Sequence, residues 1–429
     1  MHALLVSRMP GSSGSIRRRA AALAAAWFGV CLVVAAPAAH GEERACGAGA
    51  LGRHLTESPW LLGDPAGLRT GLEARGIALD LFWNNTTGLL LGAGGDGDIA
   101  QSGSADFFLR ADLARLGVEF GGRVLAQVKA NYNRNVNDDA AALGEPIDDA
   151  DFDEPIYLDQ LWYERDFAGG RVHARLGYLD QQVAFDRNAY ANNEDKQFLN
   201  TFLDNSPTVP LEIGLGALLV VAPTRWLELA VAAADADNPI RETGFSTAFD
   251  GADSWTSYAE ATLHGVLGGN RPGALRLGVF RDGAERPVFG RDVRERGHLG
   301  LYLSADQRVW NERDDGAEGL GVFVRAGRDD PRVNRIETFW SAGLEYDGLL
   351  PGRSHDAVGL GLYQALPSNE YRSQVDPDFT SEWGVELYYR LQLAPWLAIT
   401  PDAQWLHDPG GADDAPDSFV LALRIRVQL

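Results

Sequence analysis

Apolar and polar residues alternate one by one along much of the chain, which is the pattern of a β-strand with two different faces. Residues 421–429 show it clearly, because Leu, Ile and Val fill every odd position while Arg424 and Arg426 lie on the opposite face. A strand at the end of a soluble sandwich is often an edge, where an apolar row promotes aggregation. In a membrane barrel the same strand pairs with the first one and turns its apolar row toward lipid.

The same alternation predicts sixteen strands. They cover residues 77–90, 104–115, 121–132, 155–166, 171–181, 212–222, 225–234, 254–264, 274–282, 296–308, 318–328, 336–346, 356–366, 381–393, 396–406 and 418–429. A strand of about ten residues, tilted by about 45°, spans the apolar band of an outer membrane. Sixteen such strands leave a water-filled channel, whereas eight would be filled by their own side chains.

The connections alternate between short and long. Those after even-numbered strands are fairly tight, such as Pro223-Thr224 and Ala394-Pro395. Those after odd-numbered strands tend to be longer: 91–103, 133–154, 182–211, 235–253, 283–295 and 367–380. Outer-membrane barrels show this asymmetry, which a soluble sandwich or propeller does not need. We therefore predict an all-β fold, a sixteen-stranded antiparallel outer-membrane β-barrel with short periplasmic turns and longer extracellular loops.

The start of the chain has the features of a signal peptide. Arg17-Arg18-Arg19 precede an apolar run over residues 20–36, and Ala36-Pro37-Ala38 is a small-residue cleavage site. We predict a signal peptide over residues 1–41, a periplasmic segment with a short helix over 42–76, and a pore domain over 77–429. After residue 41, no apolar run approaches the length of a spanning helix.

Charge and cysteine content narrow the function classes. Loss of residues 1–41 would remove four arginines and no acids, which changes the net charge from −22 to −26. Such a negative chain excludes nucleic acid as a partner. Cys46 is the only cysteine after residue 41, so the sequence contains no disulfide framework. We expect neither a cofactor nor a metal site.

Residues 135–154 hold eight acidic residues and no basic one. A calcium loop needs ligands at fixed spacing and a glycine at its turn, and this run has neither. We interpret it as a solvated extracellular loop, which divalent ions could bridge to lipopolysaccharide.

Blocks at both ends of the chain resemble the OprB family of carbohydrate-selective porins. The matching residues are Leu62-Gly63-Asp64, Gly67-Leu68-Arg69-Thr70, Leu72, Gly76-Ile77, Glu386-Leu387-Tyr388-Tyr389, Pro395-Trp396-Leu397, Pro401-Asp402-Ala403-Gln404, Pro409-Gly410-Gly411 and Arg424. Pro65-Ala66 replaces the family's Trp-Gly, and Leu429 replaces the aromatic last residue that the barrel assembly machinery prefers. The resemblance covers roughly residues 55–429. It implies a sixteen-stranded pore with sugar as its solute.

If the apolar face of each strand contacts lipid, the other face lines the channel. Residues 157–164 have no clean apolar face, and we place Gln160, Trp162 and Glu164 inward. The candidate sugar-binding, pore-lining residues are Arg110, Lys129, Gln160, Trp162, Glu164, Arg175, Arg390 and Arg424. Arginine and carboxylate groups bond sugar hydroxyls, and an aromatic ring covers the apolar face of a pyranose. The expected partners are small carbohydrates, outer-membrane lipid, lipopolysaccharide and the barrel assembly machinery.

Two alternatives stay open. Any water-filled barrel needs a polar lining, so a general-diffusion porin with weak anion preference fits the same residues. A barrel enzyme would need a histidine beside a nucleophile or carboxylate, and His173, His264 and His298 all fall on predicted strands. The chain has no nucleophile elbow, HExxH or paired-cysteine motif to support an enzyme. The connection 182–211 is long enough either to fold into the channel or to cap it.

Overall fold

The structure is a computed structural model, and it describes residues 57–92, 95–148, 156–210, 213–236, 254–265, 268–269, 271–313, 316 and 318–429. The predicted signal peptide, residues 1–41, lies outside these ranges, so its prediction stands untested. Within them, no helix is both long enough and apolar enough to cross a membrane.

Sixteen strands form one closed antiparallel barrel, in which the first strand pairs with the last. Their bounds are β1 Ile77–Gly92, β2 Gly95–Asp112, β3 Arg123–Arg134, β4 Ile156–Phe167, β5 Val172–Asp180, β6 Ile213–Thr224, β7 Leu227–Asp235, β8 Trp255–His264, β9 Gly273–Asp282, β12 His298–Asn311, β13 Gly319–Arg328, β14 Ile336–Asp347, β15 Ala357–Pro367, β16 Glu382–Ala394, β17 Leu397–His407 and β18 Ser418–Gln428. A separate two-stranded hairpin, β10 Arg286–Pro287 and β11 Arg294–Glu295, lies between β9 and β12. The predicted barrel is confirmed.

Short helices lie in the segments outside the strands. They are the 3₁₀ turns Pro65–Gly67, Ala168–Gly170 and Pro409–Gly411 and the α-helices α1 Leu68–Glu73, α2 Asn137–Ala140, α3 Thr201–Asp204 and α4 Asn369–Gln374.

The two faces of the strands follow the predicted parity. In β18, Phe419 is 48% exposed, whereas Val420 and Arg424 on the other face are buried. In β16, Leu387 is 45% exposed beside the buried Glu386. Apolar side chains at the outer surface and charged ones inside reverse the arrangement of a soluble protein. The apolar rows therefore face outward and the polar rows face the channel.

The prediction of a loop over residues 91–103 is wrong. β2 begins at Gly95, and β1 and β2 stay paired as far as Gly92 opposite Gly95. Residues 96–104 are mostly Asp, Gly, Ser and Gln, so they carry no apolar row by which a strand could be recognised. The backbone pairing continues nonetheless.

The irregular pattern of β4 has a structural cause. Asp159 has no partner on β3 and forms a β-bulge, which shifts the parity of the strand by one residue. Tyr157 and Asp159 before the shift, and Gln160, Trp162 and Glu164 after it, are all buried. Trp162 and Glu164 line a cavity of the barrel, and Gln160 bonds Trp162 on the same face.

The long connection between β5 and β6 folds into the barrel rather than capping it. We call residues 181–210 the inner loop. Its Phe198 lies 5.1 Å from the Tyr388 ring, and its Phe202 lies 5.2 Å from the Tyr363 ring, both edge to face. With Leu203 they form the centre of a buried cluster against the inner faces of β13 to β17. The apolar core of this protein thus lies inside the barrel, between the wall and the inner loop.

Charged wall residues bond the backbone of the inner loop. Arg325 of β13 is fully buried and donates to the carbonyls of Leu203 at 2.8 Å and Asp186 at 3.1 Å. Glu386 of β16 accepts from the backbone N–H of Leu199 at 2.6 Å. Buried backbone groups are costly without partners, so these charges make the inward position of the loop possible.

Part of the acidic connection after β3 also lies inside, which contradicts a fully solvated loop. Val136 and Ile147 are buried, and Glu382 of β16 accepts from the N–H groups of Leu143 at 2.6 Å and Gly144 at 3.0 Å. Residues 149–155, with four of the eight acids, lie outside the described ranges.

The segment before β1 contacts the seam between β1 and β18. The backbone N–H of Leu61 donates to the carbonyl of Gln428 at 2.9 Å. The guanidinium of Arg69 donates to the carbonyl of Leu429 at 3.2 Å and to that of Leu79. Asp64 accepts from the Arg69 N–H at 2.7 Å and fixes the turn that carries this arginine.

We expect Leu423→Arg to reduce barrel assembly. Leu423 lies near the middle of β18 on the outward face, paired with Thr87 and Pro401. A charge at the midplane costs about 2–4 kcal/mol. Refolding yield in lipid vesicles, measured by heat-modifiable migration on gels, should fall for Leu423→Arg and stay near wild type for the control Leu423→Met. Equal yields for the two variants would contradict the outward assignment.

We expect the fold to be more stable at mildly acidic than at alkaline pH. Asp204 of the inner loop is 2% exposed, and burial raises the pKa of its carboxyl from 3.8 to about 7. The folded state then holds a proton that the unfolded state has released, so the stability from this group falls as pH rises toward 7.

Thermal unfolding followed by circular dichroism should therefore occur at a lower temperature at pH 8 than at pH 5. Asp204→Asn should reduce that difference, and the exposed control Asp378→Asn should preserve it. A wild-type midpoint that rises between pH 5 and pH 8 would refute the assignment.

Candidate functional site

A cavity lies against the inner faces of β1 to β4, and the inner face of β5 continues the same wall. We call these faces the open wall. The cavity, of about 560 Å³, lies at the barrel end that carries Ile77 and is lined by α1, β1, β2, β3 and β4. Three of the predicted residues, Arg110, Trp162 and Glu164, line it together.

Glu164 is the centre of a charged cluster on the open wall. Its carboxylate accepts from Arg123 at 2.6 Å and from Arg175 at 3.0 Å, and it lies 3.2 Å from His173. Asp166 adds a second carboxylate, 2.8 Å from His173 and 3.1 Å from Arg123. The arginines of this cluster are therefore ion-paired, which offsets their positive charge on the wall.

A line of hydrogen bonds runs from this cluster across the wall. The Arg175 guanidinium lies 4.0 Å from the centre of the Trp162 ring. The indole N–H of Trp162 donates to Gln160 at 2.9 Å, and the Gln160 amide donates to Gln127 at 2.8 Å. Gln127 in turn donates to Asp106 at 3.2 Å. The line fixes the orientation of each amide and of the ring.

A second aromatic pair lies on β1 and β2. Phe82 and Phe108 meet edge to face at 5.8 Å. Arg426 covers Phe82 at 4.3 Å, and Arg110 covers Phe108 at 5.1 Å while it pairs with Asp80. Sequence reasoning did not select the two phenylalanines because they are apolar, although Phe108 has the same parity as the inward Asp106.

The remaining predicted residues have different surroundings. Lys129 interacts electrostatically with the buried Asp159 of the open wall. Arg390 of β16 donates to the carbonyl of Lys196 at 3.5 Å. Arg424 is 1% exposed and donates to two carbonyls of the inner loop, at 2.9 Å for that of Gln197. The prediction that Arg424 contacts solute is therefore wrong, because the loop covers it.

The three strand histidines each have an acidic neighbour. His298 is buried, 3.4 Å from Asp330, and His264 lies 3.9 Å from Glu228. Within the described ranges, no three His, Cys, Asp or Glu side chains are grouped so that they could hold a metal ion.

The open wall combines the groups that recognise a sugar. Guanidinium and amide groups donate and carboxylates accept. The Trp162 ring lies among them, 9% exposed and with Arg175 over one face. Ligand sites of about this volume typically combine apolar surface with a few fixed polar groups.

Known proteins are similar to this chain in sequence or in fold. Porin B of Pseudomonas aeruginosa is 23% identical over 415 residues, covering 86% of this chain and 91% of that protein. The putative porin QuiX of Acinetobacter baylyi is 22% identical over 413 residues, covering 86% and 92%. The high-pH structure of Pseudomonas putida OprB has a TM-score of 0.78 at 20% identity, covers 88% of this chain and 100% of that one, and shows the same fold.

The family model described as "Carbohydrate-selective porin, OprB family" matches residues 96–429, well over half of the chain. The family and the barrel indicate a channel rather than an enzyme, and they imply an outer-membrane location. On this evidence the chain belongs to the OprB family of carbohydrate-selective porins.

Proposed function

We propose that this porin passes small, glucose-like sugars by facilitated diffusion across the outer membrane of a Gram-negative bacterium, and that the open wall binds them. The observation that carries the proposal is the Trp162–Arg175–Glu164 arrangement beside a cavity of about 560 Å³. It offers a ring, donors and an acceptor within one surface.

The paired charges of the open wall suit transport of a neutral solute. A channel must bind its solute strongly enough to admit it and weakly enough to release it. Because Arg123 and Arg175 already share Glu164, a sugar hydroxyl competes with existing bonds and with water. The net gain from each contact is then small, as for hydrogen bonds generally.

General diffusion is the second candidate function. The inner loop fills part of the barrel, and a narrowed polar channel would select by size and charge whether or not sugars bind. The two functions differ in one respect: only a sugar-binding wall makes the ion current depend on millimolar sugar.

The outer surface fits the remaining partners. Outward apolar residues such as Phe419 and Leu387 would contact lipid. We further propose that the acidic connection after β3 lies outside the cell near lipopolysaccharide, and that the assembly machinery recognises the chain although it ends in Leu429.

We expect Trp162→Ala to weaken the effect of glucose on ion current. Ring contacts of this kind are worth about 0.5–1.5 kcal/mol, so the glucose concentration for half-maximal block should rise about three- to tenfold. The measurement is single-channel recording in planar bilayers with added glucose.

The control is Trp310→Ala, because Trp310 is 58% exposed and lies outside the open wall and its cavity. Glucose should block the current through this variant at the same concentration as in wild type. A wild-type current that is insensitive to millimolar glucose would favour general diffusion instead.

A further inference from the structure

Three cationic side chains converge where the inner loop meets the end of the barrel that carries Ile77 and Gln428. We call Lys196 of the inner loop, Arg390 of β16 and Arg426 of β18 the cationic triad. Lys196 interacts electrostatically with both arginines, and Arg390 donates to the Lys196 carbonyl at 3.5 Å. Residues from distant parts of the sequence thus bring three positive charges together.

Within the described ranges, one carboxylate lies within ion-pair distance of the triad. Asp195 lies 3.4 Å from the Nε of Arg426, and it also accepts from Asn84 at 2.7 Å. Glu345 interacts electrostatically with Arg390 from farther away and accepts a hydrogen bond from Tyr388. Within the described part of the chain, Lys196 and Arg390 have no carboxylate within ion-pair distance. The Nε of Arg390 is buried without a hydrogen-bond partner.

The triad differs from the arginines that hold the fold together. Arg325 and Arg424 are fully buried and bonded to backbone carbonyls of the inner loop. Lys196 is exposed, and 15% of the Arg426 side chain is accessible. Partial burial, followed by the charges of Arg426 and Arg390, lowers the pKa of Lys196. An anion between these groups would relieve their mutual repulsion.

A row of aromatic and cationic side chains connects the triad to the open wall. Arg426 covers the Phe82 ring, and Phe82 meets Phe108 edge to face. Arg110 covers the Phe108 ring and lines the cavity of the open wall. A solute that bonds the open wall through hydroxyls could therefore place a carboxylate against the triad. Guanidinium groups suit this role because they bind carboxylates with two parallel hydrogen bonds.

We propose that this porin also admits sugar acids, that is, polyhydroxylated carboxylates. Lys196, Arg390 and Arg426 bind the carboxylate, and the open wall binds the hydroxyls. The inference rests on the proposed function, because it assigns a further substrate class to the same channel.

The test is block of ion current through the purified full chain in planar bilayers, with glucuronate, glucose and acetate added separately to the same potassium chloride solution. Charge-assisted hydrogen bonds are worth about 1.5–3 kcal/mol. Glucuronate should therefore block at a concentration about tenfold or more below that of glucose. Acetate has the charge without the hydroxyls and should not block in that range.

Variants locate the effect. Lys196→Gln and Arg390→Gln should raise the glucuronate concentration for half-maximal block until it is close to that of glucose. The glucose concentration for half-maximal block should stay unchanged. The control Arg332→Gln removes one positive charge from an exposed arginine that pairs with Asp330 at 2.7 Å, on a connection away from the triad. This control should keep the wild-type ratio between the half-maximal blocking concentrations of glucose and glucuronate. Heat-modifiable migration confirms that each variant is folded.

Three results would overturn the inference: glucuronate no stronger than glucose in wild type, acetate as strong as glucuronate, or glutamine variants that weaken both sugars equally. The first two leave sugar passage intact, and the third makes the triad part of the neutral-sugar site. Failure of the proposed function is distinguishable, because glucose then has no effect on the wild-type current and the inference fails with it.

Discussion

Closure of the barrel is the constraint on which the rest of this structure depends. In lipid no water is present to bond a free N–H or C=O, so a sheet can span the membrane only if its first and last strands pair. β1 and β18 pair from Phe82 opposite Gln428 to Gly92 opposite Ser418. At one end of this seam the strand pairing stops, and there Arg69 bonds the carbonyls of Leu79 and Leu429. The segment before β1 thus extends the seam beyond its last strand pair.

A closed barrel of sixteen strands leaves an interior that must hold either water or protein. Here the inner loop fills one side of this interior. Its backbone N–H and C=O groups are neither paired in a strand nor solvated, so they need other partners. Arg325, Glu386 and Arg424 supply them as buried charges from the wall. A charge in such a position is stabilised by several fixed bonds, and removing either partner would leave the other buried and unpaired. The inner loop also reaches the open wall, where its Asp195 accepts from Asn84 of β1.

The strands could be predicted because lipid outside and water inside impose a period of two that each strand shows by itself. The prediction fails where a strand lacks one of these two faces, or where a bulge interrupts the period. Residues 95–104 lack an apolar row, so the extension of β2 could not be recognised, and the bulge at Asp159 shifts the parity within β4. Parity placed Arg424 inward, but only the path of the inner loop determines that it is covered. Such contacts join residues more than two hundred positions apart and have no local pattern.

The arginines of this channel show how pairing separates structural from functional charge. Arg123 and Arg175 share Glu164, and Arg424 donates to two loop carbonyls, so each has a partner within the protein. Arg390 and Lys196 have no carboxylate within ion-pair distance in the described ranges, and Arg390 bonds only weakly to the carbonyl of Lys196. Net charge along the sequence cannot reveal this difference, because the chain as a whole is strongly negative. The solute preference of the channel depends on which positive groups remain unpaired at its surface, rather than on how many arginines its strands carry.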